Sequence, residues 1–158
     1  MKRGFPMRIV LTIIWALALF IFTCSVNFNL LIQYHIIDFQ LNPNPDWSEL
    51  LRLDFQWASQ DWILRKIGHL IGFFILALLA SNFGKYKSAF YWAIIYAALT
   101  EILQLFFFRG GRIYDVINDS FGVLLAYLFC LILFNTSSRH KRILIEVVHP
   151  FPSKKNNK

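Results

Sequence analysis

The sequence predicts an all-α protein, a four-helix transmembrane bundle with both termini in the cytoplasm and a short interfacial helix between its first two spans. The first observation is composition: 57% of the 158 residues are hydrophobic and 16% are charged, whereas soluble domains have about 45–50% and about 25%. The second is that the apolar residues are concentrated in four blocks. The third is that most basic residues lie on one side of those blocks.

The four apolar blocks define the predicted spans. Helices are expected at about 9–28, 62–83, 89–108 and 116–134, because about 20 residues rising about 1.5 Å each cross a hydrocarbon core of about 30 Å. The basic stretch before the first block would suit a signal peptide. However, the apolar run is longer than that of a usual signal peptide, and no A-x-A-like cleavage site follows it. We therefore predict that this block is retained as the first helix of a membrane domain over 9–134.

The segment 29–61 is the one sizeable piece that this arrangement places outside the cytoplasm. Two turn-forming prolines precede Asp46 and Glu49, a pair that resembles a helix capping box. Trp47 and Leu50 then follow a rough helical period, and tryptophan favours the membrane interface. A short interfacial helix is predicted here, with an irregular loop as the alternative.

The orientation prediction depends on where the basic residues lie. Of the sixteen Lys and Arg, eleven lie before the first helix, in the loop between the second and third helices, or after the fourth. They are Lys2, Arg3, Arg8, Lys85, Lys87, Arg139, Lys141, Arg142, Lys154, Lys155 and Lys158. Because cytoplasmic loops carry the excess of Lys and Arg, segments 1–8 and 135–158 are predicted to be cytoplasmic. The formal net charge of +7 is thereby explained by topology, and no nucleic-acid partner is predicted.

The two cysteines are predicted to be unpaired. Cys24 falls in the outer part of the first helix and Cys130 in the inner part of the fourth. This difference in depth is incompatible with the Cα spacing of about 5.5 Å that a disulfide needs. Both are expected to be buried structural thiols.

Polar and ionisable side chains recur near the predicted outer ends of helices two, three and four. The candidate site residues are Lys66, His69, Glu101, Gln104, Arg109, Arg112, Asp115 and Asp119. Counted along their helices, His69, Glu101 and Asp119 all lie roughly 6–10 Å inside the outer boundary. We therefore expect these groups to form one assembly.

Two interpretations of this assembly remain open. An ionised side chain inside a membrane costs a few kcal/mol unless it is paired or hydrated, so Glu101 and Asp119 should find a basic partner. The assembly could be purely structural, fixing the bundle through hydrogen bonds and ion pairs between helices. It could instead be a site open to the outer aqueous face, which we favour because uncharged polar residues would stabilise a bundle more cheaply. Gly68 and Gly72 form a GxxxG pattern, which predicts close packing within the bundle.

The order and spacing of these residues resemble the VanZ-like family of small bacterial membrane proteins. The resemblance covers about residues 62–133 and consists of K-x-x-H, E-x-x-Q, an Arg, and D-V-x-x-[DN]-x-x-G. The matching residues are Lys66 and His69, Glu101 and Gln104, Arg109, and Asp115, Asp119 and Gly122, with Arg112 as the rival for the Arg. The chain departs from the family pattern at Phe107 and Phe108, which replace a usual Pro-Gly, and at Gly72, where many members have Glu.

The resemblance implies a role at the outer face of the bacterial cell membrane. The member that gives the family its name is associated with lowered susceptibility to teicoplanin, a glycopeptide with a lipid tail. The resemblance implies no established chemistry, and it does not by itself extend resistance to this chain.

Several functions are compatible with these residues. The one we favour is binding or modifying an anionic membrane lipid or a lipid-linked envelope precursor, with Lys66, Arg109 and Arg112 facing its head group. The main alternative is a membrane-embedded enzyme using His69, Glu101, Asp115 and Asp119 for acid–base or metal chemistry.

Two further alternatives are a transporter, for which four helices would require a homodimer, and a structural partner of another membrane protein. No cofactor is predicted, and neither a bound metal nor catalytic residues can be assigned from the sequence.

Overall fold

A computed structural model describes residues 7–25, 34, 39–56 and 58–148, with the backbone alone over 135–148. Its elements are α1 (Met7–Cys24), a 3-10 helix (Trp47–Leu51), α2 (Gln60–Ser81), α3 (Ser88–Phe106) and α4 (Ile113–Val148). The described residues contain no strand. Four helical segments are long and apolar enough to cross a membrane: α1, α2, α3 and the part of α4 that ends at Phe134. The predicted all-α fold with four candidate spans is confirmed.

The helix ends differ from the predicted ones for local reasons. α2 begins at Gln60 because the side chain of Ser59 caps it, accepting a hydrogen bond from the amide of Trp62. It ends where Asn82 adopts a left-handed conformation with φ of 53°. α4 begins three residues before the predicted span and continues to Val148. Segment 123–148 contains neither Gly nor Pro, so nothing in it interrupts the helix. The predicted end of the first helix, at residue 28, lies outside the described residues.

The core lies where α2 packs on α3 and α4. α2 and α4 make the most extensive helix pair, and α1 packs on α2 and α3. Phe73 and Leu76 are surrounded by small buried residues from neighbouring helices, including Ala97 and Ala126. Small side chains let helices approach closely in a membrane, where lipid is as apolar as the core. Many of the remaining large apolar side chains face outward, as expected for a surface surrounded by lipid.

The two ends of the bundle differ in charge. At one end, the guanidinium of Arg8 lies 4.2 Å from the ring centre of Tyr86, between Lys85 and Lys87 in sequence, and donates a hydrogen bond to the carbonyl of Ala80. The candidate site residues lie at the opposite end, at the carboxyl ends of α1 and α3 and the amino ends of α2 and α4. Basic residues that the sequence assigns to the cytoplasm thus lie far from the polar assembly.

The cysteines also lie at opposite ends. Both are buried and free. Cys130 lies beside Gly84 in the α2–α3 turn, whereas Cys24 ends α1 near the α3–α4 loop. The prediction that they do not pair is confirmed.

Segment 39–56 folds back over the carboxyl end of α3. The amide of Asn42 donates to the carbonyl of Phe106 at 2.7 Å, and its side chain reaches the carbonyl of Leu105. These two carbonyls belong to the last turn of α3, which lacks partners within the helix. Trp47 packs edge-on against Phe106 with ring centres 6.0 Å apart. The segment is therefore fixed to the bundle.

The predicted short helix in this segment is a 3-10 helix of five residues, Trp47–Leu51. Asp46 caps it as predicted, because its carboxylate accepts a hydrogen bond from the amide of Ser48 at 2.9 Å. Most of 26–38 and Trp57 lie outside the described residues. The described part of the segment is therefore mostly irregular chain with one short helical turn.

The GxxxG glycines of α2 differ from each other. Gly72 faces α1, where a Cβ would meet the side chain of Leu19 at 2.5 Å, and its carbonyl accepts a hydrogen bond from the indole of Trp15 at 2.9 Å. Around Gly68 a Cβ would meet nothing within 4 Å. Close packing is therefore found at Gly72 and is absent at Gly68.

Candidate functional site

One imidazole and two buried carboxylates from three helices meet near the end of the bundle opposite Arg8. His69 Nδ1 lies 3.2 Å from Asp119 Oδ2 and 4.0 Å from Glu101 Oε1. Glu101 and Asp119 are both 0% exposed. The structure thus brings together the three residues that helix counting places at one depth, and we call them the buried triad.

Fixed donors hold both carboxylates of the buried triad. Glu101 accepts hydrogen bonds from the Gln104 side chain and from the backbone amide of Arg112, each at 2.9 Å. Asp119 Oδ1 accepts from the Asn118 side chain at 3.4 Å, which leaves Oδ2 turned toward His69. Asp119 therefore has one oxygen held by Asn118 and one directed at the imidazole, whereas in Glu101 the oxygen nearer the imidazole, Oε1, also accepts the Gln104 hydrogen bond.

Lys66 forms an ion pair with Asp115, one helical turn above the buried triad. Its ammonium also lies over the rings of Tyr114 and Trp62, at 4.7 and 5.3 Å from their centres. The sequence led us to expect Lys66, His69, Arg109 or Arg112 near Glu101 and Asp119, and His69 is found beside both. Lys66 instead pairs with Asp115, which lies in the first turn of α4.

Arg112 reaches away from the buried triad toward segment 39–56. Its guanidinium donates to Asp54 Oδ2 at 2.9 Å and to the hydroxyl of Tyr114 at 2.8 Å. That hydroxyl in turn donates to the backbone carbonyl of Asp54 at 3.1 Å. Arg112 thus connects segment 39–56 to the start of α4, while its own amide donates to Glu101.

Arg109 lies between α1 and the α3–α4 loop. Its Nε donates to the carbonyl of Thr23 at 3.3 Å, near the end of α1. Burial, followed by the charge of Arg65, lowers the pKa of Arg109. An anion bound beside Arg109 would therefore stabilise the charged form of its guanidinium.

Two cavities meet at this end of the bundle. The first, the polar chamber, has a volume of about 100 Å³, and the residues relevant to its chemistry are Asp54, Gln56, Lys66, His69, Arg109 and Arg112. The second, the apolar groove, has a volume of about 300 Å³ and runs between α1 and α2 along Trp15, Leu19, Phe22, Leu64, Ile71 and Ile75. Arg65, His69 and Arg109 line both cavities. A molecule with a polar head and an apolar chain would match this combination.

All eight residues singled out from the sequence lie at this end of the bundle, in two layers. His69, Glu101, Gln104 and Asp119 form the deeper one, and Lys66, Arg109, Arg112 and Asp115 surround the polar chamber above it. Sequence reasoning missed Arg65, which lines both cavities, and also Asp54, Tyr114 and Asn118. Asn118 could have been recognised as a second polar residue inside an apolar block, next to Asp119. Nothing in the local sequence marks Asp54 as the partner of Arg112.

The α3–α4 loop needs unusual backbone geometry to hold the site. A Cβ on Gly111 would overlap the carbonyl of Glu101, so only glycine allows the loop to approach closely enough for the Arg112 amide to reach the Glu101 carboxylate. Phe108, at the position of the usual family glycine, has φ of 52°. A bulky residue in this left-handed region is strained. Phe108 therefore adopts a conformation that glycine would adopt at lower cost.

The Asp54–Arg112 contact gives a first testable prediction. Asp54→Asn should increase hydrogen–deuterium exchange across 39–56, whereas Asp61→Asn, an exposed acid of α2 outside the cavities, should not. The hydrogen bond from Gln56, and next the charge of Arg112, lower the pKa of Asp54. A lowered carboxyl pKa means that the stabilisation is present above the unfolded pKa and is lost as pH falls through the folded one. Once corrected for the pH dependence of intrinsic amide exchange, wild-type exchange across 39–56 should therefore rise toward the Asp54→Asn level in acid. Equal exchange in Asp54→Asn and Asp61→Asn would contradict the contact.

Comparison with known proteins supplies a family and one relative. Residues 8–134 match the family model described as VanZ/LLP1. The chain is 35% identical over 115 residues to the uncharacterized membrane protein YwnJ of Bacillus subtilis (strain 168), covering 72% of this chain and 82% of the relative. No solved structure matches the chain.

Proposed function

This chain belongs to the VanZ/LLP1 family of membrane proteins, and from that premise we propose that it binds an anionic lipid or a lipid-linked envelope precursor at the outer face of the bacterial cytoplasmic membrane. The observation that carries the proposal is the junction of the polar chamber with the apolar groove at Arg65, His69 and Arg109. The chamber would take the head group and the groove one hydrocarbon chain.

The charges around the polar chamber favour an anion. Four basic residues line it, namely Arg65, Lys66, Arg109 and Arg112, against two acidic residues, Asp54 and Asp115. Arginine suits phosphate because its planar guanidinium can donate two parallel hydrogen bonds. The groove, with about 300 Å³, reaches the lower end of the size range of ligand pockets in proteins, about 300–1,000 Å³.

The proposed outer-face location depends on the distribution of basic residues. Arg8, Lys85 and Lys87 lie at the end opposite the polar chamber. If this end faces the cytoplasm, as the excess of Lys and Arg predicts, the chamber opens toward the envelope. Accessibility of single engineered cysteines at positions 48 and 86 to an impermeant reagent tests this, with labelling from outside expected at position 48 alone.

The binding test uses purified protein in nanodiscs. After the protein is released from the nanodiscs, native mass spectrometry should find more phosphatidylglycerol than phosphatidylcholine bound to it. The reason is that the phosphatidylglycerol head group is anionic, whereas that of phosphatidylcholine has no net charge. Equal retention of both lipids would overturn selection of an anionic head group.

The proposal extends to lipoglycopeptide antibiotics. Teicoplanin carries a lipid tail and vancomycin does not, so a protein acting on lipids at the outer leaflet should affect the former more. Expression in a Gram-positive host should therefore raise the inhibitory concentration of teicoplanin selectively. An unchanged inhibitory concentration of teicoplanin at normal protein abundance would mean that this member does not confer resistance.

A second candidate function is catalysis on the bound lipid. It is favoured by the contact between His69 and Asp119 at 3.2 Å, since a carboxylate that orients an imidazole is a common arrangement in acid–base catalysis. Asp115 contributes less directly, because its carboxylate is paired with Lys66. New lipid species in mass spectra of cells expressing the wild type, absent with His69→Ala, would identify an enzyme.

A further inference from the structure

The buried triad converges on a single point from three helices. One nitrogen of His69 and one carboxylate oxygen each of Glu101 and Asp119 lie within 4.8 Å of one another. Donors arranged tetrahedrally around an ion at about 2.1 Å would be about 3.4 Å apart. The observed distances of 3.2 and 4.0 Å from His69 Nδ1 to the two oxygens bracket this value. We propose that His69, Glu101 and Asp119 are the protein ligands of a divalent metal ion of the zinc class.

The balance of charge supports a cation at this point. Glu101 and Asp119 both have 0% exposure; with both carboxylates ionised beside a neutral imidazole the charge would be −2, and burial of unbalanced charge is costly. The ammonium of Lys66 forms an ion pair with Asp115, and the guanidinium of Arg112 forms one with Asp54. A single divalent ion would cancel the charge of the pair. Protonation of the His69 imidazole alone would leave a net charge of −1 on the three side chains.

The surroundings of the carboxylates fit a metal centre. Metal ligands are usually oriented by second hydrogen bonds, whose loss weakens metal affinity by about 10–100-fold. Here the Arg112 amide holds Glu101, and Asn118 holds Asp119, so that the other oxygen of each faces His69. An imidazole with two carboxylates is a donor set that suits Zn²⁺, with Mn²⁺ as a weaker competitor.

The site also leaves room for a further ligand. Three protein ligands with one open position are typical of catalytic rather than structural zinc sites. His69 lines the polar chamber, so a water molecule could complete the coordination from that side. The sequence predicted no cofactor, and this centre would add one.

Cobalt titration tests the proposal. The full-length protein is purified in detergent, stripped with a chelator and titrated with Co²⁺, whose visible absorption reports low-symmetry coordination. We expect one Co²⁺ per chain, displaced by Zn²⁺, and at least a tenfold weaker binding in Glu101→Gln and Asp119→Asn. Asp61→Asn, which removes an exposed acid at the start of α2, should bind like the wild type.

A ligand exchange separates loss of the site from loss of the fold. His69→Cys should still bind Co²⁺ and show a new thiolate-to-cobalt band in the near ultraviolet. Absence of stoichiometric binding by monodisperse wild type, or equal affinities in the wild type, Glu101→Gln and Asp119→Asn, would overturn the proposal and leave adventitious binding only. No lipid is added to the titration, so its outcome is independent of lipid binding.

Discussion

Arg109→Ala is expected to abolish selective retention of phosphatidylglycerol. The guanidinium of Arg109 lines both the polar chamber and the apolar groove, so it lies where a phosphate would connect a head group to its chain. Removing one partner of a buried, hydrogen-bonded charge pair costs about 2–5 kcal/mol. Even the lower value corresponds to a loss of affinity of roughly 30-fold. The measurement is lipid retention by native mass spectrometry, with teicoplanin susceptibility as the cellular counterpart.

The control for this prediction is Arg52→Ala. Arg52 is exposed at the end of the 3-10 helix and has the same charge, but it does not line the chamber. It should leave retention unchanged. Membrane abundance of both variants should equal that of the wild type. If retention and abundance fall together in Arg109→Ala, the residue holds α1 to the loop and has no separate binding role.

The four spans could be predicted from sequence because they follow from a local property. An apolar run of about 20 residues without charge has one favourable environment, a membrane, whatever its neighbours are. The family resemblance connects the polar residues through their order and spacing in the chain, and residues 8–134 match that family. Helix ends were predicted less well, because they depend on single caps such as Ser59 and on the left-handed Asn82.

The depth of the buried triad was also predictable, since residues on straight helices can be placed by counting. The pairing within the site was not. Lys66 had several acidic residues within reach of its long side chain, and the choice of Asp115 depends on the rotation of α2 against α4. Arg112 finds Asp54, which is 58 residues away in the chain. No periodicity links the two, because Asp54 lies in irregular chain outside the helices.

Gly122→Ala is expected to destabilise the protein severely. Asp115, Asp119 and Gly122 form one stripe of α4 that faces α2, where they meet Lys66, His69 and Leu70 respectively. A Cβ on Gly122 would collide with the carbonyl oxygen of Leu70 and would lie 3.1 Å from its carbonyl carbon. The backbone of a helix cannot change rotamer to avoid the clash as a side chain can, so α4 would have to move away from α2. Such overpacking typically costs about 1–3 kcal/mol.

Gly68→Ala is the matched control, since it makes the same change in the middle of α2. A Cβ there meets nothing within 4 Å, so the variant should gain the helix preference of alanine over glycine, up to about 1 kcal/mol. Gly122 also lies inside a helix, so this gain is common to the two variants, and unfolding in detergent should separate them by the overpacking cost of about 1–3 kcal/mol. Because the displaced stripe carries Asp119, Gly122→Ala should also weaken Co²⁺ binding in whatever protein remains folded. Equal stability of the two variants would mean that α2 and α4 are not in contact at Gly122, and the buried triad would then lose its geometric basis.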